Sequence, residues 1–180
     1  MTLQILIGVG VALAVLGIVV ATRPSKFHIE RSVDVAAPPA SVFPHVNDFH
    51  DWVAWSPWEK LDGQMKKTFE GAAAGVGSVY SWAGNKKVGE GRMTIERSVP
   101  PSVVTLKLEF FRPWRATNTT TFSFDDAGGG TKVTWAMDGE HTFGAKAFGL
   151  VMNLDALVGR DFERGLAALK ALAEGQAEAP

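Results

Sequence analysis

The chain has 180 residues, of which 46% are hydrophobic, 21% charged and 10% aromatic, and its net charge is −1. That is enough apolar material for one sizeable core, and so even a charge balance excludes a global field that would draw nucleic acid. There is no cysteine, which excludes disulfides, thiol catalysis and thiolate metal sites.

Residues Leu3 to Ala21 read LQILIGVGVALAVLGIVVA, with Gln4 the one strongly polar member. A helix crossing a bilayer core needs roughly 20 apolar residues. The run therefore predicts a transmembrane anchor over residues 1–22, meeting the membrane through residues 3–21. Gly8, Gly10 and Gly17 are common company in lipid. The competing reading is a cleaved signal peptide ending near Val19-Val20-Ala21. Against it, Met1-Thr2 carries no Lys or Arg, and the run is long for an h-region. Arg23, Lys26 and Arg31 follow the run, so the positive-inside tendency places the domain of this single-pass protein in the cytoplasm. Residues 23–26 form a short linker, 27–174 the domain and 175–180 a polar tail.

From Phe27 the period becomes two: Phe27, Ile29, Val33 and Val35 alternate with His28, Glu30, Ser32 and Asp34, as in a half-buried strand. Pro38-Pro39 opens a helix with Val42, Phe43 and Val46 on one face, kept short by Pro44. Asp51 to Lys60, with Trp52, Trp55 and Trp58, reads as a second short helix running into a loop. Six strand-like runs follow: Gln64–Glu70, Ser78–Ala83, Glu90–Val99, Val103–Phe111, Arg115–Asp125 and Lys132–Glu140. Gly84-Asn85-Lys86 is a hairpin signal between the second and third. Sequential strands with short connections predict an antiparallel meander. From Phe143 on, apolar residues recur at helical spacing through Leu150, Leu154, Leu157, Phe162, Leu166 and Leu169, predicting one long amphipathic helix. Gly149, Gly159 and Gly165 within it allow close packing or a bend.

The fold class is therefore α+β, with about seven strands curling around a long C-terminal helix and two short helices after the first strand. This order resembles the helix-grip fold of the START / Bet v 1-like superfamily (SRPBCC), and more closely its polyketide cyclase/dehydrase-like members. The residues that carry the resemblance are Val35-Ala36-Ala37-Pro38-Pro39-Ala40-Ser41-Val42-Phe43, Trp52-x-x-Trp55-Ser56-Pro57-Trp58, Gly75-x-Gly77-x-x-Tyr80-x-Trp82 and Gly159-Arg160-Asp161-Phe162-Glu163-Arg164-Gly165-Leu166. It covers residues 26 to 174. The resemblance implies a cavity between sheet and helix for an apolar or amphipathic molecule such as a lipid, isoprenoid or polyketide. It does not imply one reaction.

No P-loop, dinucleotide fingerprint, HExxH or nucleophile elbow is present, so neither metal nor cofactor is expected. His45 and His50, near Asp48 and Asp51, read as helix-end residues rather than converging ligands. The large rings Trp55, Trp58, Tyr80, Trp82, Phe110, Trp114 and Trp135 suit a core, and all but Trp114 are also candidate cavity walls, joined by Met137, Leu150 and Leu154. Tyr80 is the sole tyrosine, and a buried hydroxyl needs a partner. Asn118 shares the parity of Phe122 and Phe124, so it points inward, while Glu109 and the stripe Thr117, Thr119, Thr121, Ser123 point outward. Tyr80, Asn118 and His141 are the candidate catalytic groups. The leading expectation is a membrane-anchored protein that binds an apolar molecule. A cyclase or dehydratase acting on such a ligand, and an interaction module with a filled interior, are the alternatives.

Overall fold

A computed structural model describes residues 2–141, 143–150 and 153–175, with side chains described at 4, 7–141, 144–150 and 153–175. The order is α1 (Thr2–Thr22), β1 (Lys26–Val35), α2 (Pro39–Asn47), α3 (Trp52–Trp55), β2 (Lys66–Gly71), β3 (Ser78–Ala83), β4 (Glu90–Val99), β5 (Val103–Arg112), β6 (Ala116–Asp126), β7 (Thr131–Glu140), α4 (Phe143–Phe148) and α5 (Leu154–Ala173). The strands form one antiparallel sheet in the order β1-β7-β6-β5-β4-β3-β2. The meander β2 to β7 is as expected, and β1 closes it by pairing with β7.

Three differences from the sequence reading exceed a shift of one residue, each for a local reason. The strand expected from Gln64 starts at Lys66, because the Asp62 carboxylate accepts the Gln64 N–H at 3.0 Å and holds a turn there. The tight hairpin at Gly84-Asn85-Lys86 is a longer loop, closed by Gly84 N–H to Gly89 O at 2.9 Å. The single long C-terminal helix is two helices. Gly149 ends the first, and Asn153 caps the second by accepting the Ala156 N–H at 3.1 Å. Leu150 consequently lies between them, and Leu157 faces outward rather than into the core.

The core lies between the concave face of the sheet and α5, with α2 and α3 across one end. Trp52, Trp55, Phe122, Trp135 and Phe162 are all buried, and Trp135 stacks on Phe162 with ring centroids 4.2 Å apart. Arg31 fastens α5 to β1: its Nε donates to Glu163 at 2.9 Å and its Nη2 to Asp155 at 3.0 Å. A Cβ at Gly159 would overlap that guanidinium, so glycine is what lets α5 pass over it. Arg31 is thus bound to two carboxylates of α5.

Among the described residues no helix is long and apolar enough to cross a membrane, so the expected transmembrane anchor gains no support there. α1 spans Thr2–Thr22. Within it Val11 and Leu13, on opposite faces, are both exposed. The last turn is different: Val20 is buried, and α1 packs against α4.

Candidate functional site

The register sets the inward side chains in cross-strand rows. One row runs Phe69, Tyr80, Met93, Leu108, Asn118, Gly139, Phe27 from β2 to β1. The next, toward the α1 end, holds Trp82, Gly91, Phe110 and Ala116. Helix packing falls mainly on β1, β5, β6 and β7, and Phe27, Trp82, Leu108 and Phe110 remain half-buried. They form a half-buried apolar strip, a shallow trough, at the α1 end of the sheet's inner face. The expected enclosed cavity at the centre is instead filled by the rings of Trp52, Trp55, Phe122, Trp135 and Phe162. Two recesses lie off this face. One of about 150 Å³ sits between α3 and α5 beside Trp55, Ser56, Lys60 and Arg164, and one of about 590 Å³ runs along the outside of α5 beside Leu157, Arg160 and Glu163.

Polar groups are set into this face. Asn118 is 7% exposed, and its amide oxygen lies over Gly139, where a Cβ would overlap it and the Phe27 ring. Thr120, 2% exposed, follows two residues on along the same face. The Thr120 hydroxyl and the Trp135 indole N–H are buried, and neither has a hydrogen-bond partner. A buried donor without a partner is costly and uncommon, and such groups mark places where something else completes the bond. Three other indoles are satisfied: Trp52 donates to Val46 O, Trp55 to His45 O and Trp82 to Val88 O, each at 3.0 Å.

At the far side of the trough Tyr80 donates to Glu59 Oε1 at 2.7 Å, and Lys67 Nζ pairs with the other oxygen of Glu59. The Glu59 side chain is 6% exposed. Burial, and then the neighbouring carboxylate, push the Tyr80 pKa well above the ordinary phenol value. Tyr80 therefore keeps its proton and directs it at Glu59.

The sequence candidates separate accordingly. Trp82, Phe110, Asn118, Met137 and Tyr80 share the concave face, but Tyr80 and Asn118 stand three strand spacings apart, about 14 Å. They make no acid/base pair. Trp55 and Trp135 are core, and Trp58 is half-buried with its edge against Trp135 and Phe162. Leu154 packs on the core rim, and Leu150 is half-buried in the α4–α5 connection. His141 stacks on Phe27 at 4.7 Å. Trp114 belongs to no interior: it is 79% exposed. Glu109 is outward, paired with Arg92 and Lys107. His45 and His50 pair with Asp51 and Asp48, and among the described residues no group of three or more His, Cys, Asp or Glu is placed to hold a metal ion. Sequence reasoning missed Glu59, Lys67 and Thr120. Parity pointed to two of them, since Lys67 alternates in step with Phe69 and Thr120 with Asn118 and Phe122. Nothing in sequence pointed to Glu59.

The family model described as polyketide cyclase / dehydrase and lipid transport matches residues 26–174, from the first residue of β1 to just past α5. The chain belongs to this family. Among solved structures, the aromatase/cyclase ZhuI from Streptomyces sp. R1128 is 18% identical, with a TM-score of 0.59 over 86% of this chain and 97% of that one. Aha1 from Colwellia psychrerythraea, solved as a dimer, is 16% identical, with a TM-score of 0.62 over 84% and 99%. Ara h 8.0201 is 16% identical, with a TM-score of 0.55 over 84% and 97%. At these identities the likeness is one of fold, the helix-grip arrangement of a curved antiparallel sheet and a long C-terminal helix. No curated protein matches the chain.

Proposed function

We propose that this family member binds an apolar small molecule bearing a hydrogen-bonding oxygen, held in the trough at the α1 end of the concave face. The observation that carries this reading is the half-buried apolar face of Phe27, Trp82, Leu108 and Phe110, with the buried Asn118 amide in the same cross-strand row as Phe27 and Leu108 and the unpartnered buried Thr120 hydroxyl two residues on from it. Such a surface suits a lipid, isoprenoid or polyketide-like molecule: flat walls bury its hydrocarbon and a few fixed polar groups orient its oxygen. The family description, polyketide cyclase / dehydrase and lipid transport, names molecules of this kind.

Binding is preferred to catalysis on chemical grounds. A cyclase or dehydratase needs an acid and a base that reach one substrate. Here the Tyr80 proton is directed at Glu59, a carboxamide such as Asn118 does not titrate, and the His141 ring is stacked on Phe27.

The same proposal includes a tether. The apolar run of residues 3–21, interrupted only by Gln4, would hold the domain at a membrane, on the cytoplasmic side given Arg23, Lys26 and Arg31, close to where an apolar ligand concentrates. Native mass spectrometry of the chain extracted gently from its own membrane tests both parts. A recurrent apolar molecule near one per chain supports binding. An empty chain after incubation with total lipid extract turns the reading to an interaction module. Release of the chain by alkaline carbonate overturns the tether.

A further inference from the structure

One end of the sheet is traced by its register: Lys26 faces Glu140, Phe110 faces Ala116, Arg112 faces Glu90, Glu90 faces Ala83 and Ala83 faces Lys66. α1 joins the domain at this end, just before Lys26. The β5–β6 connection, Pro113-Trp114-Arg115, turns here, and so does the β3–β4 loop with Lys86 and Lys87. Trp114 is the most exposed large hydrophobic of the described residues. Lys86, Lys87, Arg112 and Arg115 are exposed around it. The carboxylates at this end are fewer: Glu90 pairs with Arg112, Asp62 accepts backbone N–H groups of Gln64 and Asn85, and Glu140 is exposed. The turns at the opposite end, 36–38, 72–77, 100–102 and 127–130, contain no Lys or Arg.

Tryptophan is most stable where an apolar medium meets water, and each basic residue at an anionic leaflet strengthens attachment about fivefold. We propose that this end of the sheet docks on an anionic lipid surface, with the Trp114 indole in the headgroup layer and Lys86, Lys87 and Arg115 over the lipid charges. The docking rests on Trp114 and the cations around it, and the route for a ligand rests on the binding proposed above; α1, the proposed tether, enters at the same end. Docked this way, the trough floored by Trp82 and Phe110 opens toward lipid, and an apolar ligand enters without crossing bulk water.

The test uses the full chain in vesicles of phosphatidylcholine, alone or with phosphatidylserine, doped with lipid brominated near the headgroup end of its acyl chains. Trp114 emission is read as the difference between the unaltered chain and Trp114→Phe. The expected result is quenching on phosphatidylserine vesicles that is lost in Lys86→Glu/Lys87→Glu/Arg115→Glu and at high salt. Unquenched Trp114 in chains that stay with the vesicles through alkaline carbonate overturns the docking and leaves the tether standing. Chains stripped by carbonate, yet quenched on phosphatidylserine vesicles, overturn the tether and leave the docking standing. Quenching equal in both vesicles and in the charge-reversed chain overturns the assignment to an anionic surface.

Discussion

The hydroxyl of Tyr80 on β3 and the carboxylate of Glu59, in the loop after α3, meet at 2.7 Å inside the protein, with Lys67 of β2 on the second carboxylate oxygen. Three separate segments are thereby fastened at the β2 edge of the sheet. A buried ion pair adds little net stability when complete, but removing one partner leaves a charge poorly solvated. The cluster fixes where the loop lies more than it strengthens the fold.

Tyr80→Phe removes one bond to a charged acceptor and is expected to lower stability by about 2 kcal/mol in urea unfolding. Ligand occupancy should be nearly unchanged, because Tyr80 points its proton at Glu59. The raised pKa adds a pH dependence. The folded chain keeps a proton that the unfolded chain releases near pH 10, so this part of the stability is present below about pH 10 and falls as pH rises beyond it. Tyr80→Phe should flatten that alkaline loss.

Thr120→Val replaces a buried, unpartnered hydroxyl by a methyl group of the same shape. It should raise the unfolding free energy by about 1 kcal/mol while ligand affinity falls roughly tenfold. Stability that drops instead would show the hydroxyl to be satisfied within the folded chain.

Gly159→Ala should destabilise by about 1 kcal/mol, against the helix propensity of alanine, because the new methyl displaces the Arg31 guanidinium from Asp155 and Glu163. In an Arg31→Ala background the same change should stabilise by about 1 kcal/mol. Thermal melts of the four proteins in this cycle give the sign directly.

His28, on the outer face, donates from Nδ1 to Asp138 Oδ1 at 2.8 Å, and that contact raises its pKa above 6.5. Proton titration by NMR should find the raised midpoint, and Asp138→Asn should lower it. Any stability from this pair is present below about pH 6.5 and fades as pH rises through the folded pKa. More than half of each side chain is exposed, so the effect on stability is small.

Periodicity made the fold legible. The alternation of Phe27, Ile29, Val33 and Val35 and the spacing of Phe162, Leu166 and Leu169 each assign a buried face from neighbours in the chain, and the structure buries those faces. Asn118 was placed inward by the same parity. The candidate site was legible only in part. Trp55, Trp82 and Trp135 carry the same residue type, yet one is core on a short helix, one half-buried in the trough and one packed at the centre with an unpartnered N–H.

What the sequence by itself determined is the order of elements, the faces they bury, the apolar run at the N-terminus and the family resemblance. These depend on short-range spacing, which the chain carries locally. Only the tertiary structure decided that the centre of the grip is filled while Trp82 and Phe110 stay half-buried, that Glu59 meets Tyr80, that Arg31 is bound by α5, and that Lys86 and Lys87 share with Trp114 the end of the sheet where α1 joins. Each of these joins residues far apart in sequence. Their meeting depends on register and on how far the sheet and α5 can approach, and no local pattern encodes that.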